Sequence, residues 1–486
     1  MTNHYILAID QGTTGTKSVC FDHSGNMVAK AYREFRQIYP QPGWVEHDPE
    51  EIWQTVVSTV NEAVSQIDGQ IDAVGITNQR ETTVVWDRET GKPVYNAIVW
   101  QCRRTASFCE KLASYTDLFK QRTGLPIDAY FSGTKIRWIL DHFDHPNSEK
   151  LAFGTIDTWL IWKLTNGQVH ATDFTNASRT LLFDIHKKEW DAELSGIMGV
   201  PTSLFPDVKR SQDDFGTVES ISALSGVPIA GVAGDQQAAL FGQTCFDAGD
   251  LKNTYGTGCF LMLNTGDQAV ISSKGLITTL ATDGSGDPCY ALEGSIFVGG
   301  AAIQWLRDEL HLIENAADSE AAAEAVHDNG GTFLVPAFVG LGAPHWDMDV
   351  RGVLVGLTRG VNRNHLIRAA LESMAYQTHD VLAVMAGETG MALTTLAVDG
   401  GASANNFLMQ FQADLSDLVV QRPQQIESTS LGAAYLAGLS VGFWPDAQSL
   451  KAQKAVERTF QPKMDEPTRQ KFLSGWHHAL RQAMTK

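Results

Sequence analysis

The chain has 486 residues, 43% of them hydrophobic and 19% charged, an ordinary globular composition with length for two or more buried cores. Its net charge of −19 argues against nucleic acid or an anionic membrane surface as a main partner, but not against a small nucleotide held by local donors. The six cysteines include no C-x-x-C pair and are too few for a disulfide scaffold, so they predict reduced thiols in a cytoplasmic protein.

The first predicted element is the short apolar run at residues 5–9. Asp10 ends it, which leaves no signal-peptide pattern. The turn Gln11-Gly12-Thr13-Thr14-Gly15-Thr16-Lys17 follows, and Ser18-Val19-Cys20-Phe21-Asp22 then alternates as a second strand. Such a turn gathers backbone N–H groups and hydroxyls in one small space, which suits phosphate oxygens, and a nearby carboxylate can hold Mg²⁺. It is not a P-loop: Thr16 rather than Gly precedes Lys17, and a strand rather than a helix comes next. By itself the turn fits either a phosphate cradle or an ordinary β-hairpin.

Further along, Ile71-Asp72-Ala73-Val74-Gly75-Ile76 predicts a buried strand that runs towards Gln79-Arg80-Glu81. Gly234-Asp235-Gln236-Gln237 precedes an apolar run, so Asp235 is at least a helix N-cap candidate. Residues 251–263 repeat the opening pattern of strand, Gly/Thr turn and strand about half a chain later. Two such hairpins predict a duplicated α/β protein with a cleft between the copies and a join near residues 242–250. Residues 366–385 show helical spacing. Leu396-Ala397-Val398-Asp399-Gly400-Gly401 predicts a strand entering a glycine turn, with a helix beginning around Asn405, a setting that favours a negatively charged ligand. Residues 428–445 carry no charge, but their glycines and serines predict a helix packed closely inside a core rather than a membrane span.

Taken together, these segments resemble the FGGY carbohydrate kinases, which share the actin/hexokinase-like (ribonuclease H-like) ATPase fold. The resemblance covers essentially the whole chain and is closest to the glycerol kinases of that family. It rests on G-I-T-N-Q-R-E-T-T, N-A-I-V-W-Q-C-R-R-T, Y-F-S-G-T-K-I-R-W, A-G-D-Q-Q-A-A-L-F-G-Q and G-V-L-V-G-L-T-R-G. The implied fold is α/β, with two duplicated domains (1–245 and 246–486), each a mixed five-stranded sheet flanked by helices, and an active site in the interdomain cleft. The implied reaction moves the γ-phosphoryl group of ATP to glycerol, with Mg²⁺, in an enzyme that forms a homodimer or homotetramer and neither binds nucleic acid nor enters a membrane.

The resemblance also implies roles for individual residues. Asp235 matches the catalytic base, which an alcohol nucleophile needs. Arg80, Glu81, Trp100, Tyr130, Gln236 and Phe260 match glycerol contacts; the plainer alternatives are an exposed ion pair for Arg80 and Glu81 and core packing for Trp100 and Phe260. Thr13, Thr14, Gly15 and Lys17 match phosphate contacts of the first turn, and Gly256 and Thr257 those of the second. Gly300, Gln304, Gly401 and Asn405 match nucleotide contacts, Asp10 matches the Mg²⁺ carboxylate, and Asp399 suits a structural role equally well. The first turn departs from the family pattern at Gly15 and at Lys17, which stands where an arginine is expected. A lysine keeps the charge and loses the two-pronged donor.

Overall fold

The structure is a computed structural model that describes residues 2–143 and 148–485. The first half of the chain contributes β1 (His4–Gln11), β2 (Gly15–Phe21), β3 (Met27–Glu34), α1 (Pro49–Ser65), β4 (Gln70–Asn78), β5 (Ile229–Gly234) and α2 (Asp235–Gly242). Its main sheet has five strands in the order β5-β4-β1-β2-β3. The strands β1, β4 and β5 run parallel, while β2 and β3 extend the sheet antiparallel through the opening hairpin.

Both faces of this sheet's parallel strands are buried, as βαβ packing requires, while the edge strand β3 is largely exposed. Leu7 and Ile9 of β1 join a core with Ile52, Val56 and Val60 of α1. The alternate residues Ile6 and Ala8 join a second core on the other face. This two-sided burial explains why the run reads as continuously apolar rather than alternating.

The second half contributes β6 (Leu251–Tyr255), β7 (Cys259–Gly266), β8 (Ile277–Thr282), β9 (Pro288–Ile296), α3 (Ala301–Asp308), α4 (Arg363–Thr389), β10 (Thr395–Asp399), α5 (Asn406–Ser416), β11 (Val419–Pro423), α6 (Ser428–Ser440) and β12 (Val456–Phe460). Its central strands, in the order β9-β7-β6-β10-β11, repeat the pairing of the first sheet, including the antiparallel hairpin and the parallel β6–β10 and β10–β11 pairs. The sheet is seven-stranded rather than the five-stranded one expected. The difference lies at the two edges, where β8 pairs antiparallel with β9 and β12 antiparallel with β11. Each added strand covers an edge whose N–H and C=O groups need partners.

One helix does not stay with the half that precedes it. Residues 428–440 of the uncharged segment form α6, and its Leu431, Ala433, Ala434, Leu436 and Ala437 complete the second core of the first sheet. Glycines permit the close approach. A Cβ on Gly75 of β4 would lie 2.1 Å from the Ala433 carbonyl oxygen, and one on Gly231 of β5 would lie 2.4 Å from the Ala437 nitrogen. Among the described residues, no helix is long and apolar enough to cross a membrane.

Helix α2 is packed between the two halves. Ala238 and Phe241 face the core shared with α6, and Leu240 joins Met262, Ala291 and Ala397 of the second sheet. The first residue of this helix is Asp235.

Candidate active site

Three parallel strands of the first sheet end at one edge. Asp10 pairs in register with Thr77, Gln11 with Asn78, and Gly234 with the same Asn78. The residues that follow these strand ends are therefore neighbours: the turn from Gly12 to Thr14, the segment from Gln79 to Glu81, and Asp235. Ligands of open α/β sheets bind outside such carboxyl ends.

Arg80 and Glu81 are not an exposed pair; both are almost completely buried. The Arg80 Nε lies 3.0 Å from Asp235 Oδ1. Its Nη1 donates to Glu293 Oε2 at 2.5 Å and to Gln237 Oε1 at 3.1 Å, and its Nη2 donates to Glu293 Oε1 at 3.0 Å. Glu81 has φ +60°, a left-handed backbone uncommon for a residue with a side chain. Its carbonyl accepts from Ser132 Oγ at 3.0 Å and Lys135 Nζ at 3.1 Å, and its carboxylate accepts from Arg179 Nε at 2.6 Å. These partners over-determine a conformation that costs free energy by itself.

The aromatic candidates lie beside this network. Trp100 and Tyr130 meet edge to face at 5.6 Å, and the Trp100 indole N–H donates to Thr13 Oγ1 at 2.9 Å. That bond joins a candidate polyol wall to the first Gly/Thr turn. The Arg179 guanidinium stands 5.7 Å from the centre of the Tyr130 ring. From the second sheet, Lys252 donates to Gln236 Oε1 at 2.5 Å and to the Phe260 carbonyl at 3.2 Å, so it ties two more candidates together.

Desolvation and neighbouring charge set the protonation of this cluster. Burial pushes the Asp235 carboxyl up to about 6; Arg80 opposes the rise, and Glu81 and Glu293 add to it. The carboxylate nevertheless keeps 32% of its side chain exposed. Burial also acts to raise Glu293, but Arg179 and Arg80 outweigh it and hold that carboxyl at about 2. Burial lowers Lys135 to about 7 and Lys252 to about 8.

The first turn is closed by a Gly12 N–H bond to the Gly15 carbonyl at 2.9 Å, with Thr13 half-buried and Thr14 exposed at its tip. Gly15 lies under Tyr32, whose hydroxyl would come within 2.5 Å of an added Cβ. Lys17 Nζ lies 3.4 Å from Asp10 Oδ2 and 2.5 Å from Glu427 Oε2. Burial works against its charge, but Asp10 and Glu427 more than offset this and keep it a cation. Asp10 also accepts from Ser430 Oγ of α6 at 2.8 Å, so α6 reaches the end of β1 just before the first turn.

In the second turn, the Gly256 carbonyl accepts from Gly300 N at 2.9 Å and the Thr257 carbonyl from Ala301 N at 3.1 Å. Gly300 thus belongs to the same small structure as Gly256 and Thr257. A Cβ on Gly300 would meet the Gly256 oxygen at 2.8 Å. Asp399 is buried and accepts from Gln243 Nε2 of the first half at 3.0 Å.

Of the remaining nucleotide candidates, Gln304 joins the second turn through its N–H, which donates to the Gly300 carbonyl at 3.0 Å. Gln304 and Gly401 are exposed. Asn405 caps α5, accepting from Leu408 N at 2.9 Å, while its Nδ2 donates to Ser319 Oγ at 3.2 Å. Its side chain therefore already serves the fold. Arg179, Glu293, Lys135, Lys252 and Glu427 were not found from sequence. Lys135 lies inside the Y-F-S-G-T-K-I-R-W motif and Lys252 inside a hairpin strand; the other three left no signal.

The description "FGGY family of carbohydrate kinases, N-terminal domain" matches residues 5–242, and its C-terminal counterpart matches residues 251–441. A protein named glycerol kinase from Carboxydothermus hydrogenoformans is 57% identical over 493 residues, covering 99% of each chain. One of the same name from Shewanella piezotolerans is 56% identical, again over 99% of each. Among solved structures, Plasmodium falciparum glycerol kinase with ADP superposes with a TM-score of 0.93 at 37% identity, covering 100% of this chain and 99% of the other.

Proposed function

Because the chain belongs to the FGGY family of carbohydrate kinases, we propose that it phosphorylates glycerol with ATP to give sn-glycerol 3-phosphate. The observation that carries this reading is the position of Asp235. It is a partly exposed carboxylate at the start of α2, 3.0 Å from Arg80, beside the strand ends that also carry the turn from Gly12 to Thr14.

Arg80 donates to glycerol hydroxyls, and Glu81, Gln236 and Tyr130 complete their recognition. Trp100 and Phe260 cover the C–H faces. Asp235 takes the proton of the terminal hydroxyl as its oxygen attacks the γ-phosphorus; the bond from that phosphorus to the β-bridging oxygen breaks, and ADP leaves. Thr13, Thr14, Gly15 and Lys17 hold the transferring phosphates from one side, and Gly256 and Thr257 from the other. Gly300, Gln304, Gly401 and Asn405 line the nucleotide path.

Asp10 suits Mg²⁺. That ion keeps several waters and needs one or two carboxylates beside substrate phosphates, and Asp10 stands next to the first turn with one oxygen already oriented by Ser430. When bound, Mg²⁺ offsets charge on the ATP oxygens. All six cysteines are free, which supports a cytoplasmic location.

An ADP-release assay with glycerol, xylulose, erythritol and dihydroxyacetone tests the reading. Glycerol is expected to give the highest kcat/KM, and a clear preference for a larger sugar overturns it. The base must be deprotonated to act, so kcat/KM is expected to fall as pH drops through about 6 and to level off above that value. A profile flat through that region removes Asp235 as the base. Lys17→Arg retains the charge between Asp10 and Glu427 and is expected to keep activity within about one order of magnitude. A dead variant shows that the turn accepts only the slimmer ammonium.

A further inference from the structure

Glu293 lies at the centre of the candidate polyol site, yet it comes from β9 of the second sheet. It is fully buried. It meets Arg80 through two roughly parallel bonds of 2.5 and 3.0 Å, the geometry that fixes a guanidinium plane as well as its charge. Arg179 Nη2 adds a bond to Oε1 at 3.2 Å, and the Ser295 hydroxyl another at 3.3 Å. Arg179 in turn holds Glu81. The chain Asp235–Arg80–Glu293–Arg179–Glu81 therefore includes the base and both charged hydroxyl-binding candidates, and its middle member belongs to the opposite half of the molecule.

We infer that Glu293 is the positioning residue of the polyol site: it sets the plane of Arg80 directly and the reach of Glu81 through Arg179. The inference rests on the glycerol-kinase reading above. Glu293 touches no reacting atom; it acts through the residues that do. Hydroxyl recognition then depends on the two sheets being in register, because the carboxylate that orients Arg80 moves with the second sheet.

The charged groups facing Asp235 are Arg80 and Glu81 from the segment after β4, Glu293 from β9 and Lys252 from β6. Glu293→Gln removes one of these charges and keeps the shape. The loss lowers the Asp235 pKa twice over: a nearby anion disappears, and Arg80 turns its charge more fully to Asp235. Glu293→Asp keeps the charge but draws the carboxylate back by one methylene.

The test is steady-state kinetics of both variants and the parent across pH, with glycerol and ATP varied separately. Glu293→Gln is expected to raise KM for glycerol by about 10- to 100-fold, with KM for ATP within about twofold, and to move the acid limb of kcat/KM to lower pH. Glu293→Asp is expected to raise KM for glycerol with the acid limb in place. Unchanged KM for glycerol in both overturns the inference, as does an unmoved limb in a folded Glu293→Gln. If Glu293→Gln does not fold, Glu293→Asp decides alone through its KM for glycerol. Failure of both to fold also overturns it, because the residue is then a structural member only. A parent with no glycerol turnover fails the reading of the reaction, whereas turnover with unchanged variants fails this inference alone.

Discussion

Replacing Asp235 by asparagine is expected to lower kcat by about 10²–10⁴-fold while leaving glycerol binding largely intact. The side chain keeps its shape and an oxygen that can still accept the Gln236 N–H, a bond of 2.7 Å in the parent. What disappears is the group able to receive the hydroxyl proton. Arg80 does not collapse into the gap, because Glu293 and Gln237 hold its Nη1 and Nη2 groups independently of Asp235. Calorimetric titration with glycerol beside steady-state kinetics separates the two effects. Near-normal turnover removes Asp235 as the base; it is not the N-cap the sequence suggested either, because Gly234 holds that position and Asp235 makes no cap bond.

The second large effect is on stability. Gly432→Ala is expected to destabilise the protein by about 3 kcal/mol or more and to reduce activity with it. A Cβ on Gly432 would lie 1.8 Å from the Ala238 carbonyl oxygen and 2.9 Å from the Gly242 nitrogen. Both are backbone atoms of α2, so no side chain can swing aside. Gly242 makes the reciprocal approach, 2.1 Å from the Ser428 carbonyl oxygen. Helices α2 and α6 thus cross backbone to backbone, and a displaced α2 carries Asp235 with it. Gly387, inside α4 with nothing within 4 Å of an added Cβ, is the control. There, Gly387→Ala is expected to be neutral or to stabilise by about 0.5–1 kcal/mol. Urea midpoints of the two variants check the contrast. A Gly432→Ala protein as stable and active as the parent shows that the close crossing can relax freely.

The features legible in the sequence are those made by residues close together in the chain. The opening hairpin and its echo at β6 and β7 follow from turn chemistry between apolar runs. The residues 366–385 lie inside α4, and the small-residue character of the uncharged segment correctly pointed to a tightly packed helix. At Asn405 the sequence pattern fits a ligand contact and a helix cap alike; its oxygen caps α5 and its Nδ2 donates to Ser319. The two extra edge strands of the second sheet left no comparable signal, because a short strand is stabilised by the edge it finds.

By itself the sequence determined where the Gly/Thr turns and the carboxylates Asp10 and Asp235 lie along the chain, and which family it resembles. Short-range preferences of Gly, Thr, Asp and apolar residues suffice for that. The tertiary structure decided that α6 crosses back onto the first sheet, placing Ser430 on Asp10, and that Glu293 takes hold of Arg80. Those partners lie 420 and 213 residues apart in the chain. Their pairing depends on which strands and helices the two halves bring together and on buried charges needing opposite charges beside them, and no local pattern encodes either condition.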